Sequence, residues 1–154
     1  MTLARIEDLI QTLAARLTWL PPAVARLTLG VSFTLTGWGK LHGLDDLVAY
    51  FTQLGIPFAS VQAPMVAGIE FLGGLLLVLG LFTRFAAVPL MGTMVVAILT
   101  AKWEDIHGLA DLVGTLEFAY LAMFLWLAVA GGGKLSLDHA LGRLVRRRSA
   151  PAVA

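Results

Sequence analysis

Residues 63–84, APMVAGIEFLGGLLLVLGLFTR, carry one charge before the terminal arginine, and that charge is Glu70. A run of roughly 20 mostly apolar residues is what a helix needs to cross a bilayer. On a helix turning about 100° per residue, Glu70 shares a face with Ala63, Val66, Ala67, Gly73, Gly74 and Leu77. Most of these are small side chains, the kind that let a second helix come close in lipid. A carboxyl on the close-packed side of a membrane helix is costly, so it marks a functional position unless it merely hydrogen-bonds its neighbours.

Composition agrees with that reading. Of 154 residues, 58% are hydrophobic and 14% charged, where a soluble domain carries about 25% charged residues. An integral membrane protein is expected. The formal net charge of +1 leaves no basic field for nucleic acid. The absence of cysteine removes disulfides, thiolate metal sites and thiol redox chemistry from the chain itself.

The sequence divides into three parts. Residues 1–20 do not resemble a signal peptide, because Glu7, Asp8, Arg5 and Arg16 interrupt any apolar core. Leu3, Ile6, Leu9, Ile10, Leu13, Leu17 and Leu20 instead fall on one side at helical spacing, which predicts an amphipathic helix lying in the membrane interface. A helix docked on a partner would look the same. Residues 21–132 are read as a four-span antiparallel bundle and residues 133–154 as a basic cytoplasmic tail. The spans are expected near residues 23–38, 63–82, 85–100 and 109–130, with a tight turn at Thr83-Arg84 and a short interfacial helix within residues 42–55. Matched glycine intervals, Gly30 to Gly37 and Gly73 to Gly80, suggest that the first two spans pack closely. Residues 149–154 read as a disordered end.

Lysine and arginine set the orientation. With both termini in the cytoplasm, the inner side holds Arg5, Arg16, Arg84, Lys134, Arg143 and the triplet Arg146, Arg147, Arg148. The outer side then holds only Lys40 and Lys102, beside Asp45, Asp46, Glu104 and Asp105. Glu70 and Glu117 each lie about eight residues in from the outer end of their spans, or roughly 12 Å at 1.5 Å per residue. Two carboxyls at one level can share a proton, pair with a cation or flank a polar cavity. Lys40 is the nearer cation. Arg26 lies about 21 Å below it by the same rise, and it snorkels inward unless the first helix is shifted. Tyr120 and Phe124 extend the Glu117 face as candidate walls for a flat ring such as a quinone, or as plain packing residues. His42, His107 and His139 have no ligand-like spacing, so no metal site is expected, nor any covalently bound cofactor.

Five segments resemble the DoxX family of small bacterial membrane proteins. They are Arg26-Leu-Thr-Leu-Gly30, Gly37-Trp-Gly-Lys40-Leu, Leu54-Gly-Ile-Pro57, Glu70-Phe-Leu-Gly-Gly74 and Gly80-Leu-Phe-Thr-Arg84, and the likeness spans about residues 23–130. The resemblance implies a small four-helix protein of the bacterial inner membrane, which with the charge bias gives a multi-pass protein with both termini cytoplasmic. It implies functional roles for Arg26, Lys40, Glu70 and Arg84; Glu117 rests on depth alone. Relatives include a subunit of a thiosulfate:quinone oxidoreductase and a component of oxidoreductase assemblies linked to oxidative stress. The reading that follows has Glu70, Glu117 and Lys40 as catalytic groups, with Arg26, Tyr120, Phe124 and Arg84 as substrate-binding groups. Quinone is the candidate ligand. The lipid bilayer and a protein supplying electrons are the expected partners, with a homo-oligomer left open. A non-catalytic membrane scaffold is the alternative, and a small proton-coupled transporter a weaker one.

Overall fold

The computed structural model describes residues 3–148, and among them the regular structure is entirely helical. A surface helix α1 (Leu3–Leu17) leads into α2 (Leu20–His42), whose first turn contains Pro21 and Pro22. Proline suits that position because the N–H it lacks has no partner there. Gly43 closes α2 by donating to the carbonyls of Gly39 and Lys40, and α3 (Leu44–Gln53) follows with Asp45 and Asp46 in its first turn. Acidic groups there complement the helix dipole.

The central helix α4 (Ala59–Leu79) ends four residues before the expected turn at Thr83-Arg84. Gly80 adopts φ +66°, and the N–H of Leu81 reaches back to the Leu76 carbonyl at 2.9 Å. A left-handed residue closed by such a bond stops a helix. Only Gly80, Leu81 and Phe82 separate α4 from α5 (Thr83–Ala101), so Thr83 and Arg84 already belong to the next helix.

A second difference lies after the 3-10 turn Trp103–Asp105. The segment expected as one helix over residues 109–130 is two, α6 (Leu109–Gly114) and α7 (Leu116–Ala130). Thr115 sits between them in extended backbone and its hydroxyl accepts the Phe118 N–H at 3.2 Å, an N-cap. The stretch after the glycine loop at residues 131–133, read from the sequence as a basic tail, forms another helix, α8 (Leu137–Arg148). The end beyond residue 148 lies outside the described residues.

Helix α2 packs antiparallel along α4, and α5 along α7; the pairs join mainly through α4 and α5, while α2 and α7 touch lightly. The α2–α4 contact has no room for side chains at three glycines. A Cβ on Gly30 would sit 2.7 Å from the Val78 nitrogen, one on Gly37 would strike the Phe71 backbone, and one on Gly74 the Thr34 nitrogen. Gly73 faces α5 instead, where Leu90 fills the space beside it. Of the two α4-side glycines expected against α2, Gly80 does lie against Arg26 of α2, whereas Gly73 is replaced by Gly74, because adjacent helical residues point about 100° apart.

Leu29, Phe33, Leu77, Leu90, Phe124 and Leu127 form the shared core. Phe33 on α2 meets Tyr120 and Phe124 on α7 edge-on, at centroid distances of 5.3 and 4.9 Å. Outward, Leu35, Leu72, Val88, Leu99, Leu125 and Val129 are exposed. Apolar cover of that kind suits acyl chains rather than water. Both α4 and α5 are long and apolar enough to cross a membrane; α2 is long enough but less apolar, and α7 is shorter.

Candidate functional site

Gly37 brings the backbones of α2 and α4 together at Glu70, and Lys40 lies three residues further along the same face of α2. Its stem reaches across that narrow gap. Lys40 Nζ donates to both carboxylate oxygens of Glu70, at 2.6 Å to Oε1 and 2.7 Å to Oε2. Glu70 is 3% exposed, whereas the Lys40 side chain keeps 35%. Short charge-assisted bonds to both oxygens are strong, and they offset the desolvation of a carboxylate held inside the bundle.

That pair forms part of the wall of a cavity of about 470 Å³ at the Lys40 end of the bundle. The cavity lies where α2 and α7 part company, with the Phe33 ring between them among its lining groups. Tyr50 and Phe51 of α3 border it on one side, and Thr93, Met94 and Thr100 of α5 on another. Glu117 and Tyr120 of α7 complete it. Glu117 falls in the first turn of α7, where a carboxylate is favoured by the helix dipole.

Four of the seven residues singled out in the sequence thus meet at one cavity: Lys40, Glu70, Glu117 and Tyr120. Phe124 does not reach it, being fully buried in the core against Phe33. Arg26 and Arg84 sit at the opposite end of the bundle, where Gly80 and the loop at residues 131–133 lie. Lys102 and Tyr50 also border the cavity and were not singled out. Lys102 was legible as the cation ending the third apolar run; Tyr50 gave no signal beyond its place on an amphipathic segment.

Arg26 neither reaches the cavity nor snorkels. It is 4% exposed, and its guanidinium donates to the carbonyls of Leu77 at 3.1 Å, Val78 at 2.7 Å and Leu135 at 2.8 Å. Two of these are carbonyls from the last turn of α4; that of Leu77 also accepts the Gly80 N–H at 3.1 Å, whereas the Val78 and Leu135 carbonyls are left to the guanidinium. Arg26→Leu is expected to cost more than about 2 kcal/mol, since it strands buried acceptors. Thermal unfolding in mild detergent would measure this. Arg26→Lys should recover only part of the loss, because an ammonium lacks the planar fork.

The DoxX family model matches residues 22–103. The Bacillus subtilis protein named "Putative oxidoreductase CatD" is 34% identical over 115 residues, covering 73% of this chain and 81% of its own. The Escherichia coli inner membrane protein YqjF is 29% identical over 120 residues, with 78% of this chain and 91% of its own covered. Inner membrane protein YphA, also from Escherichia coli, is 31% identical over 121 residues, with 75% and 86% covered. The chain belongs to the DoxX family, and it is a membrane protein of that family. No solved structure matches it.

Proposed function

We propose that this protein is a quinone-linked subunit of an oxidoreductase assembly, crossing the bacterial inner membrane four times with both termini in the cytoplasm. The observation that carries the proposal is the Lys40–Glu70 pair set in a mostly apolar cavity that Glu117 and Tyr120 also border. A pocket of 300–1,000 Å³ with a few convergent polar groups is the usual form of a small-molecule site. A quinone ring suits such a place: its flat faces favour the apolar and aromatic walls, and its carbonyl oxygens accept hydrogen bonds.

Reduction of the ring takes two electrons and two protons. Electrons come from a partner protein, in line with the oxidoreductase named among the relatives. Protons reach the ring oxygens through Glu70 and Glu117, and the Lys40 ammonium offsets the negative charge that builds up before they arrive. The four-span topology draws on the excess of lysine and arginine at the Arg26 end. It draws also on the pairing of Lys40 and the capping by Arg26, which give both charged side chains of α2 polar partners inside the bundle.

Trp38 and Trp103 lie in or beside the elements that border the cavity, so indole fluorescence reports on its occupant. A short-chain benzoquinone should quench the purified protein saturably, and Glu70→Gln, which removes the carboxylate that holds the Lys40 ammonium in place, should weaken that binding by about tenfold. Non-saturable quenching, equal in both proteins, would point to a membrane scaffold instead.

A further inference from the structure

The end of the bundle opposite the quinone cavity carries a second hollow, about 450 Å³, between the start of α5 and the glycine loop. Arg84 and Lys134 line it, and both are exposed. Neither makes an ion pair among the described residues. The Arg84 stem lies over Gly131, where a Cβ would come within 3.2 Å of its Nε, so the loop is shaped to the arginine. The hollow's one carboxylate is already engaged. Asp138 accepts the N–H groups of Phe82 at 2.7 Å and Thr83 at 2.9 Å, capping α5. His139 also lines the hollow, and its buried Nε2 has no hydrogen-bond partner among the described residues. Two cations therefore face a hollow that holds no free anion of its own.

Beside them stand two phenylalanine rings, Phe82 and Phe85, 57% and 77% exposed and edge-to-face at 6.4 Å. Phe82 has φ +49°, a left-handed conformation that costs any residue with a Cβ and is ordinarily left to glycine or asparagine. A bulky ring held outward at a strained position calls for a use of the ring. These groups sit at the turn joining α4 and α5, the two helices both long and apolar enough to cross a membrane, and a turn between two spans falls at the level of lipid headgroups. Exposed aromatics belong at that level, and basic pockets between membrane helices there recognise anionic headgroups.

We propose that this hollow binds one anionic phospholipid, with Arg84 and Lys134 on its phosphate and an acyl chain lying along Phe82 and Phe85. The shared chemistry is a phosphate ester, which a lipid or a soluble compound can supply. The site is separate from the quinone cavity, so neither reading depends on the other.

Delipidated protein in neutral detergent would be titrated with phosphatidylglycerol, phosphatidylcholine of the same chains and glycerol 3-phosphate, with retained ligand counted by native mass spectrometry. One phosphatidylglycerol retained per chain, in preference to phosphatidylcholine, is expected. Arg84→Gln should weaken it by about tenfold, as loss of a charge-assisted contact does. Lys134→Gln, at an exposed position where folding is not at stake, should weaken it as well. Phe85→Ser should reduce retention of long-chain more than short-chain lipid. Equal retention by wild type and both charge variants would overturn the proposal, as would equal binding of phosphatidylcholine. Equal retention of glycerol 3-phosphate would overturn the lipid and leave a soluble phosphate ester as the ligand.

Discussion

Gly37→Val should abolish the folded state. A Cβ at that position would collide with the Phe71 main chain, and no rotamer change can move main-chain atoms aside. Overfilled cores with yielding side chains lose about 1–3 kcal/mol, and a backbone obstacle should exceed that range. The helices would have to separate along their whole contact, taking Lys40 away from Glu70. Gly39→Val, two residues on, is the control: nothing lies within 4 Å of its added Cβ. Extraction into mild detergent followed by size exclusion should return monodisperse Gly39→Val and little or no Gly37→Val. Equal yields of both would mean that α2 and α4 are not held by close backbone approach.

The second large effect separates stability from chemistry at the Lys40–Glu70 pair. Lys40→Met strands a carboxylate that is 3% exposed. Breaking a buried pair from one side costs about 3–5 kcal/mol, and the low end is expected because Lys40 itself retains some solvent contact. Adding Glu70→Met to make the double variant should restore most of the thermal stability, since apolar residues of similar size often replace a buried pair at no loss. Saturable quinone quenching should not return with it. A double variant that is stable and still binds quinone like the wild type would take the pair out of the site. A double variant no more stable than Lys40→Met would show that the two charges do not act on each other.

The parts of this structure that periodicity controls were legible in the sequence. The face predicted around Glu70 is the buried one: Ala63, Ala67 and Leu77 are fully buried, and Gly73 and Gly74 are buried beside them. The parts set by capping were less so. Gly80 and the Gly114-Thr115 pair are ordinary stop and start signals, yet long apolar runs drew the boundaries past them. The cavity itself was half legible. Glu70 and Glu117 both border it, as expected, but Glu117 stands in the first turn of α7 beyond the break at Thr115 and not eight residues inside a continuous span. The roles of Arg26 and Asp138 were not legible, because each bonds to main-chain groups over 50 residues away. Nothing in a local pattern encodes such a partner.

That last arrangement sets an order of events. Arg26 is bonded to Leu135, 109 residues further along the chain, and Asp138 to Phe82, 56 residues back. During synthesis, α2, α4 and α5 are all made before either late partner. Until then the Arg26 guanidinium lacks one of its three acceptors, and the start of α5 lacks its cap. Contacts of such long separation form late, since their loops must close first. The Lys40 end, whose pair is only 30 residues apart, closes early. The end that holds the Lys40–Glu70 pair can therefore close before the end that α8 seals.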